Sequence, residues 1–377
     1  MDIPIAPAAR ALVLFALAVP LLAACRAARP AALEKAEAVF SGRIAPAGPG
    51  AAVLVTKDGR AVLERGYGVT ELRTGRPIGA RTNFRLASVT KQFTAAAVML
   101  LVRDGRLRYE DRLTDVFPDF PGYGQAVTVR HLLSHTSGVP DYEDLMPSPD
   151  PALAVEKLQI PDAGVLELLK RERTGRFAPG SRWAYSNSGY VLLGLVVEKI
   201  SGRPFPEFLR ERIFQPLGMA NTVAHVRGRD EVADRAYGHT EESGAWRETD
   251  QSPTSATLGD GGVYSSVADL ARWDEALRRN TLLGEAEMRP ALEPVRVPEG
   301  PPAAPDGSPA EYGFGWFLDP WRGHSRMWHY GESIGFRTAI QRFPADGLTV
   351  IVLANRADLD AAALALETAA LFLTAGK

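Results

Sequence analysis

A serine and a lysine three residues apart could act as a nucleophile and its base. Ser88 and Lys91 lie in the stretch Phe84–Phe93, and the apolar residues that follow recur at helical spacing, which predicts both side chains on one face of a helix's first turn. A lysine can take the serine proton when burial or a second cation lowers its pKa from about 10.4. The alternative is a helix cap beside a solvated lysine, but this is the only Ser-x-x-Lys in the chain.

Two further motifs could complete such a site. Tyr185 and Asn187 form the only Tyr-x-Asn. Beside Lys91, the phenol could carry the proton from Ser88 to a leaving group, and the amide could bind an ester or amide carbonyl. His329 and Gly331 form the only His-x-Gly, in which the imidazole could hydrogen-bond to the site and the glycine would let a substrate backbone approach closely. Each residue alone also fits a structural role, as a packed aromatic, a helix cap or a buried histidine.

The pattern around these motifs predicts strands at both ends of the chain and helices between them. Residues 51–56 and 61–67 flank a Lys-Asp-Gly-Arg turn, which is typical of a β-hairpin. We therefore expect an α/β protein in which residues 36–87 and 300–377 build one antiparallel sheet flanked by helices, with an inserted mainly helical domain at residues 88–299. The predicted helices are Ala31–Phe40, Val127–Ser134, Val165–Arg173, Gly189–Ile200, Asp269–Arg279 and Ala361–Leu373, and the later strands are Tyr312–Leu318, Ser325–His329, Phe336–Phe343 and Leu348–Leu353.

The N-terminus differs in composition from the rest of the chain. The apolar run Ala11–Ala24 follows one basic residue and is closed by others, which is typical of a secretory signal peptide, with a buried N-terminal helix as the alternative. Cys25 is the only cysteine, and Leu22–Cys25 resembles the lipobox of bacterial lipoproteins, in which the cysteine is lipidated. We expect a lipoprotein signal peptide at residues 1–24, a tether at residues 25–35, and a lipid anchor in the bacterial cell envelope, at the outer membrane facing the periplasm.

The composition argues against several classes of function. A formal net charge of −2 over 377 residues gives no electrostatic footprint for nucleic acid. The six histidines show neither a His-Glu-x-x-His nor a Cys/His ligand pattern, so no metal site is predicted, and the three motifs need no cofactor. A hydrophobic content of 46% indicates a globular protein with a sizeable core.

Taken together, the three motifs resemble the active-site elements of the serine β-lactamase and penicillin-binding protein superfamily. The tyrosine of the second motif resembles the branch that contains class C β-lactamases, D-alanyl-D-alanine carboxypeptidases and β-lactamase-like esterases. The stretches HLLSHTSG at residues 131–138 and GGVYSS at residues 261–266 match the same family. The resemblance runs from about residue 36 to the C-terminus and implies the β-lactamase/transpeptidase-like fold.

For the chemistry, the resemblance implies an acyl-enzyme mechanism. Ser88 would attack a carbonyl while Lys91 and Tyr185 move the protons. The backbone N–H groups of Ser88 and Glu332 would form an oxyanion hole, whose dipoles already point at the developing charge. Water would then release the acyl group. The implied substrates are small esters, peptides or β-lactams.

The third motif departs from the Lys-Thr-Gly of many family members. His329 replaces a permanent cation by a group that titrates near pH 6.5, which weakens recognition of a substrate carboxylate unless Arg337 supplies the charge. Tyr330 and Glu332 are bulkier or more acidic than the small residues common at these positions. The differences favour a neutral ester or an unusual peptide as substrate, as in an esterase or a carboxypeptidase-like peptidase, with a class C-like β-lactamase as the alternative.

Two other interpretations compete with this one. Gly331–Gly335 matches the Gly-x-Ser-x-Gly elbow of α/β-hydrolases, which would make Ser333 the nucleophile. That fold needs a helix after the serine and a later histidine, whereas here a strand is predicted next and no histidine follows His329. The protein could also be a non-catalytic envelope lipoprotein of the penicillin-binding type, which holds a ligand in the same cleft.

Overall fold

The computed structural model describes residue 1, residues 31–150 and residues 152–373. The predicted signal peptide, Cys25 and most of the tether lie outside these residues, so the lipoprotein assignment stays a prediction. Among the helices described, none combines the length and the apolar character that crossing a membrane requires.

The strands of the described residues form antiparallel sheets. They are β1 Ala51–Lys57, β2 Arg60–Tyr67, β3 Phe84–Arg85, β4 Val223–Ala224, β5 His239–Glu242, β6 Ala245–Glu248, β7 Val263–Ser265, β8 Met327–Ser333, β9 Phe336–Phe343 and β10 Leu348–Ala354. The main sheet has the order β2-β1-β10-β9-β8, and two small sheets have the orders β3-β7-β4 and β5-β6.

The main sheet joins the two ends of the chain, as the sequence predicted. β1 pairs with β2 through a two-residue turn at Asp58 and Gly59, whose φ angles of 52° and 76° suit an Asp-Gly hairpin turn. β1 pairs on its other side with β10, with Ala51 opposite Ala354. The predicted fold class is therefore confirmed: an antiparallel sheet built from both termini and flanked by helices.

Some helices cover the two faces of this sheet, and the others build the inserted region. The helices are α1 Ala31–Ser41, α2 Lys91–Arg103, α3 Leu113–Val116, α4 Val129–Leu133, α5 Tyr142–Leu145, α6 Val155–Leu158, α7 Asp162–Arg171, α8 Asn187–Ser201, α9 Phe205–Leu209, α10 Val267–Arg278, α11 Glu285–Leu292 and α12 Ala361–Ala369. Short 3-10 turns lie at Ala87–Thr90, Gly122–Ala126 and Pro344–Asp346, and a π turn lies at Arg210–Phe214.

The alternation of side chains along β1 shows how the two layers are divided. Val53 and Val55 pack with α1 and α12 in one apolar cluster, whereas Ala52 and Leu54 point to the opposite face and join the larger core of the helical region. Because both faces are buried, β1 is apolar over residues 51–55 rather than alternately polar. The site described below lies at the β8 edge of the sheet, on the side of the larger core.

One predicted strand is wrong. Tyr312–Leu318 makes only isolated bridges, between Tyr312 and Phe317 and between Phe317 and Trp328. Gly315 interrupts the stretch with a φ of 75°, and a Cβ at this glycine would lie 2.9 Å from the Lys91 carbonyl oxygen. The chain therefore turns closely against the start of α2 here, which a continuous strand could not do.

Candidate active site

Ser88 lies in the 3-10 turn Ala87–Thr90, which leads directly into the buried helix α2. The preceding residue, Ala87, has a left-handed φ of 48°, a conformation that costs an alanine on the order of 1 kcal/mol. The turn is tied to the neighbouring strand because the Leu86 N–H donates to the Val263 carbonyl at 2.8 Å. Ser88 is thereby held half-buried at the opening of a cleft.

The Lys91 ammonium is buried and lies next to Ser88, as the spacing of the two residues predicted. Burial lowers the pKa of Lys91 to about 8, although nearby carboxylates, chiefly Asp260, act in the opposite direction. The three N–H donors of the ammonium group have three acceptors, which are Ser88 Oγ at 3.1 Å, Asn187 Oδ1 at 2.8 Å and the Asp260 carbonyl oxygen at 3.0 Å. About one molecule in ten therefore carries a neutral amine at pH 7, which can accept the serine proton.

The N-terminus of α8 positions Tyr185 beside these two groups. Ser186 caps the helix by accepting a backbone N–H at 3.1 Å. The buried Tyr185 hydroxyl has no hydrogen-bond partner in the described part of the chain, and Lys91 Nζ lies 4.9 Å from the centre of its ring. Burial raises the pKa of Tyr185 above 10, while the adjacent Ser88 side chain opposes this rise. Tyr185 is therefore a neutral phenol whose hydroxyl lies close to the serine and the lysine.

The Asn187 amide connects Lys91 to an acidic segment. Its Oδ1 accepts from Lys91 Nζ, and its Nδ2 donates to Glu143 Oε1 at 3.0 Å. The Asn187 backbone N–H donates to Asp141 Oδ2 at 2.8 Å. These contacts orient the lysine amine. Asn187 also lines the cleft beside Ser88, so the prediction that its amide binds a substrate carbonyl stays a prediction.

His329 is buried and uncharged, and the expectation that it titrates near pH 6.5 is wrong. Burial is the main cause that lowers the pKa of His329 to about 3, and the nearby positive charge of Lys91 adds to the decrease. Its Nδ1 lies 2.6 Å from the Tyr330 carbonyl oxygen, so Nδ1 carries the proton and donates it. Its Nε2 then accepts from the Tyr312 hydroxyl at 3.4 Å. The third motif therefore offers the cleft no cation at neutral pH.

Tyr312 and His135, which sequence reasoning missed as site residues, extend this contact into a buried chain of hydrogen bonds. His135 Nδ1 accepts from the Ser186 N–H at 3.1 Å, so its Nε2 carries the proton and donates to the Tyr312 oxygen at 3.1 Å. Tyr312 donates in turn to His329, and both histidines are satisfied in the neutral form. The His135 ring also packs against Tyr185, with ring centres 4.4 Å apart. This chain of hydrogen bonds therefore fixes the His135 ring, which in turn packs against the Tyr185 ring.

Gly331 permits a close approach, but by the protein's own backbone rather than by a substrate. A Cβ at this position would lie 2.2 Å from the Leu86 carbonyl oxygen and 3.1 Å from the Ser88 nitrogen. The glycine thus lets the turn that carries Ser88 pack against the edge of the sheet. Glu332, the next residue along β8, lines the same cleft as Ser88, so the two residues proposed for the oxyanion hole share one opening.

Arg337 does not line the cleft. Its Nη1 donates to the carbonyl oxygens of Ser333 at 3.0 Å and Phe336 at 2.8 Å, and its Nε lies 3.9 Å from Glu332 Oε1. These contacts hold the turn between β8 and β9, so the geometry gives no support to a contact between Arg337 and a substrate carboxylate. Ser333 ends β8 and is followed by β9, not by the helix that an α/β-hydrolase elbow needs.

The cleft beside Ser88 has a volume of about 80 Å³ and contains charges of both signs that sequence reasoning missed. Asp260 is buried; its Oδ2 accepts from the Tyr142 hydroxyl at 3.1 Å, and its Oδ1 has no partner among the described residues. Glu143 and Arg85 line the same cleft. Asp260 and Glu143 are distant from Ser88 in the sequence, so only the fold brings them to it. Arg85, in contrast, lies in the serine stretch.

The sequence is similar to those of two kinds of known protein. The chain is 34% identical to penicillin-binding protein 4* of Bacillus subtilis (strain 168) over 317 residues, which cover 81% of this chain and 67% of that protein. It is 32% identical over 332 residues to a D-aminopeptidase of Cereibacter sphaeroides (strain ATCC 17029 / ATH 2.4.9), covering 86% of this chain and 60% of that protein. The chain therefore spans about two thirds or less of the length of these relatives.

A solved structure and a family profile also match this chain. The octameric penicillin-binding protein homologue from Pyrococcus abyssi superposes with a TM-score of 0.77 at 27% identity, covering 91% of this chain and 78% of that one. The profile of the Beta-lactamase family matches residues 36–374, which include all three motifs. The chain belongs to the Beta-lactamase family.

Proposed function

We propose that this protein is a serine hydrolase that works through an acyl-enzyme on Ser88. Neutral Lys91 accepts the hydroxyl proton as Ser88 Oγ forms a bond to the substrate carbonyl carbon. The bond between that carbon and the leaving nitrogen or oxygen then breaks, and the leaving group takes a proton through Tyr185 and Lys91. A water molecule attacks the acyl-enzyme by the reverse route and releases the acid. The 3.1 Å contact between Lys91 Nζ and Ser88 Oγ supports this assignment.

For the substrate, we propose an amide, ester or short peptide whose acyl residue has a free amino group. The observation that carries this choice is the unpartnered, buried Asp260 Oδ1 in the cleft beside Ser88. A buried carboxylate oxygen without a partner favours a cationic ligand, because burying an unpaired charge is costly. Glu143 lines the same cleft and provides a second carboxylate. The relative named D-aminopeptidase supports a residue of the D configuration.

Binding of such a substrate would also favour the base form of Lys91. Both acidic residues are linked to the lysine: the backbone carbonyl oxygen of Asp260 accepts from Lys91 Nζ, and the Glu143 carboxylate accepts from the Asn187 amide that Lys91 also contacts. A substrate ammonium bound between them places a second positive charge near Lys91 and neutralises the carboxylates that raise its pKa. Both effects lower the pKa of the lysine and increase the fraction of neutral amine.

The test compares hydrolysis of D-alanine p-nitroanilide with that of its N-acetylated form and its L enantiomer. We expect kcat/KM for the free amine to exceed that for the acetylated substrate by at least about tenfold, since only the free amine can form charge-assisted bonds to the cleft. Asp260→Asn and Glu143→Gln should reduce this ratio. Asp144→Asn is a matched control, because Asp144 follows Glu143 in α5 but does not line the cleft and pairs with Arg176.

Two results would contradict the proposed substrate. One is equal hydrolysis of the free and the acetylated D substrate, which would show that the carboxylates do not select an amine. The other is rapid hydrolysis of benzylpenicillin without turnover of any D-aminoacyl substrate, which would make the protein a β-lactamase. Turnover that survives in Ser88→Ala would contradict the acyl-enzyme itself.

A further inference from the structure

Arg85 is a buried arginine in the cleft beside Ser88 that has no carboxylate partner. Its exposed fraction is 4%, and it forms no ion pair within 4.0 Å with any residue the structure describes. Its Nη1 donates to the Ser255 carbonyl oxygen at 3.0 Å, and its buried Nε has no hydrogen-bond partner. A cation that is buried without an anion is costly to the fold unless a ligand supplies the charge.

A neighbouring arginine shows what a structural pairing looks like in the same region. Arg85 and Arg235 both lie against the Tyr264 ring, with the two guanidinium carbons 5.8 Å and 5.0 Å from its centre. Arg235 forms an ion pair with Asp250 and donates to the Tyr264 hydroxyl at 3.1 Å. Arg235 does not line the cleft, whereas Arg85 does. The Nε of each arginine lacks a hydrogen-bond partner, so the difference between them is the carboxylate: Arg235, outside the cleft, has one, and Arg85, inside it, has none among the described residues.

The cleft also keeps two opposite charges apart. Asp260 lines it together with Arg85, yet the two side chains form no ion pair within 4.0 Å. Both retain an unpartnered polar atom, Asp260 Oδ1 and Arg85 Nε. A ligand that carries an ammonium and a carboxylate group would satisfy both.

The other cations near the site are already occupied or uncharged. Lys91 uses its three donors within the protein, and His329 is neutral because its pKa is lowered to about 3. Arg337 is bound to the turn between β8 and β9. Of the described residues that line the cleft, Arg85 is thus the cation with bonding capacity left for an anion.

We propose that Arg85 binds a free carboxylate on the leaving group of the substrate. This inference rests on the proposed function, in which the amino group of the acyl residue lies beside Asp260 and Glu143. The remaining charged group of a short peptide is then the carboxylate of the residue released on hydrolysis. Arg85 and Asp260 together select dipeptides, or similarly short peptides, with both termini free.

The experiment compares D-alanyl-glycine with D-alanyl-glycinamide, which differ only in the charge of the leaving group. For the wild-type protein we expect kcat/KM of the free acid to exceed that of the amide by about tenfold or more, mainly through KM, because only the acid can bond to the guanidinium. Arg85→Gln should remove this preference, and Arg85→Lys should restore part of it. Arg235→Gln is the matched control and should keep it, since Arg235 lies outside the cleft.

Each outcome decides the question. A wild-type protein that cleaves the amide as well as the acid overturns the inference without any variant, and so does a preference that survives in Arg85→Gln. If Arg85→Gln fails to fold, the wild-type ratio and the Arg85→Lys ratio decide. Turnover of D-alanine p-nitroanilide without a preference for the acid would overturn only this inference. No turnover of any of these substrates would overturn the proposed function as well.

Discussion

Two groups of buried charges lie on the same face of the main sheet, and they are built differently. In the first, Asp274 of α10 is fully partnered: its Oδ1 accepts from Arg342 Nε at 2.7 Å and from Thr349 Oγ1 at 2.8 Å, and its Oδ2 accepts from Thr56 Oγ1 at 3.0 Å. These bonds tie α10 to β1, β9 and β10. We call this group the Asp274 cluster.

The second group, around Ser88, leaves several buried polar atoms without partners. They are Arg85 Nε, Asp260 Oδ1 and the Tyr185 hydroxyl oxygen. The residue before Ser88 is also in a left-handed conformation that few alanines adopt. A satisfied network stabilises one packing arrangement, whereas unsatisfied and strained groups are expected where a ligand is bound or transformed. The difference supports our proposal that the Ser88 group is functional, whereas the Asp274 cluster holds the fold together.

The largest effect should come from Ser88→Ala. Removing the nucleophile should reduce kcat/KM by at least about a thousandfold while the melting temperature stays within a few degrees, because a single half-buried hydroxyl is lost. Kinetics with a D-aminoacyl p-nitroanilide and thermal unfolding measure the two quantities. Ser333→Ala should keep most of the activity, and the opposite pattern in the two variants would give the role of nucleophile to Ser333.

The reverse pattern is expected for Asp274→Ala. This change leaves Arg342 buried without its anion, which should lower the free energy of unfolding by about 3–5 kcal/mol. Turnover per folded molecule should be unchanged, since the cluster does not touch the cleft. Urea unfolding and kinetics on the folded fraction test this. A variant of wild-type stability, or a folded variant that turns over more slowly, would remove the contrast between the two groups.

The lowered pKa of Lys91 predicts the pH dependence of catalysis. The base must be neutral, and its neutral fraction increases as the pH rises through about 8, so kcat/KM should increase about tenfold from pH 7 to pH 9. A neutral ester substrate avoids titration of a substrate amine. No inflection is expected near pH 6.5, because the pKa of His329 lies at about 3. A profile that is flat between pH 7 and pH 9 would show that Lys91 is not the base.

The smallest effect is expected for Tyr312→Phe, which removes the hydroxyl between two neutral histidines. His135 Nε2 loses its acceptor and His329 Nε2 loses its donor, so we expect a loss of about 1–3 kcal/mol in stability and a several-fold decrease in kcat with little change in KM. Tyr123→Phe, which removes one bond to the Leu169 carbonyl away from the cleft, should lower stability only. Equal kcat in the two variants would mean that Tyr312 does not position Tyr185.

The sequence predicted which candidate catalytic groups meet, through the local spacing of Ser88 and Lys91 and through the resemblance of the Tyr-x-Asn motif to a known family. Ser88 and Lys91 share a turn and its helix because Lys91 is three residues after Ser88, and Tyr185 lies beside them just before the start of α8. The hairpin was predictable from its Asp-Gly turn. The apolar strands near the C-terminus predicted that the chain returns to the same sheet.

Burial and long-range packing account for the properties that the sequence did not predict. The neutrality of His329 follows from its enclosure and from Lys91, which is distant in sequence. Gly331 packs against the backbone of Leu86 and Ser88. Gly315 packs against the backbone at the start of α2 and so interrupts the predicted strand. Arg85 lies in the serine stretch, but its missing partner is visible only once Asp260 and the cleft are in place.

The most direct test of the account is rapid-quench intact mass spectrometry of the protein mixed with the p-nitrophenyl ester of D-alanine. We predict a transient adduct with the mass of one D-alanyl group, located on Ser88 by peptide mapping and absent from Ser88→Ala. An adduct that maps to another residue or persists in Ser88→Ala would contradict the account, as would steady turnover by the wild-type protein with no adduct at any time.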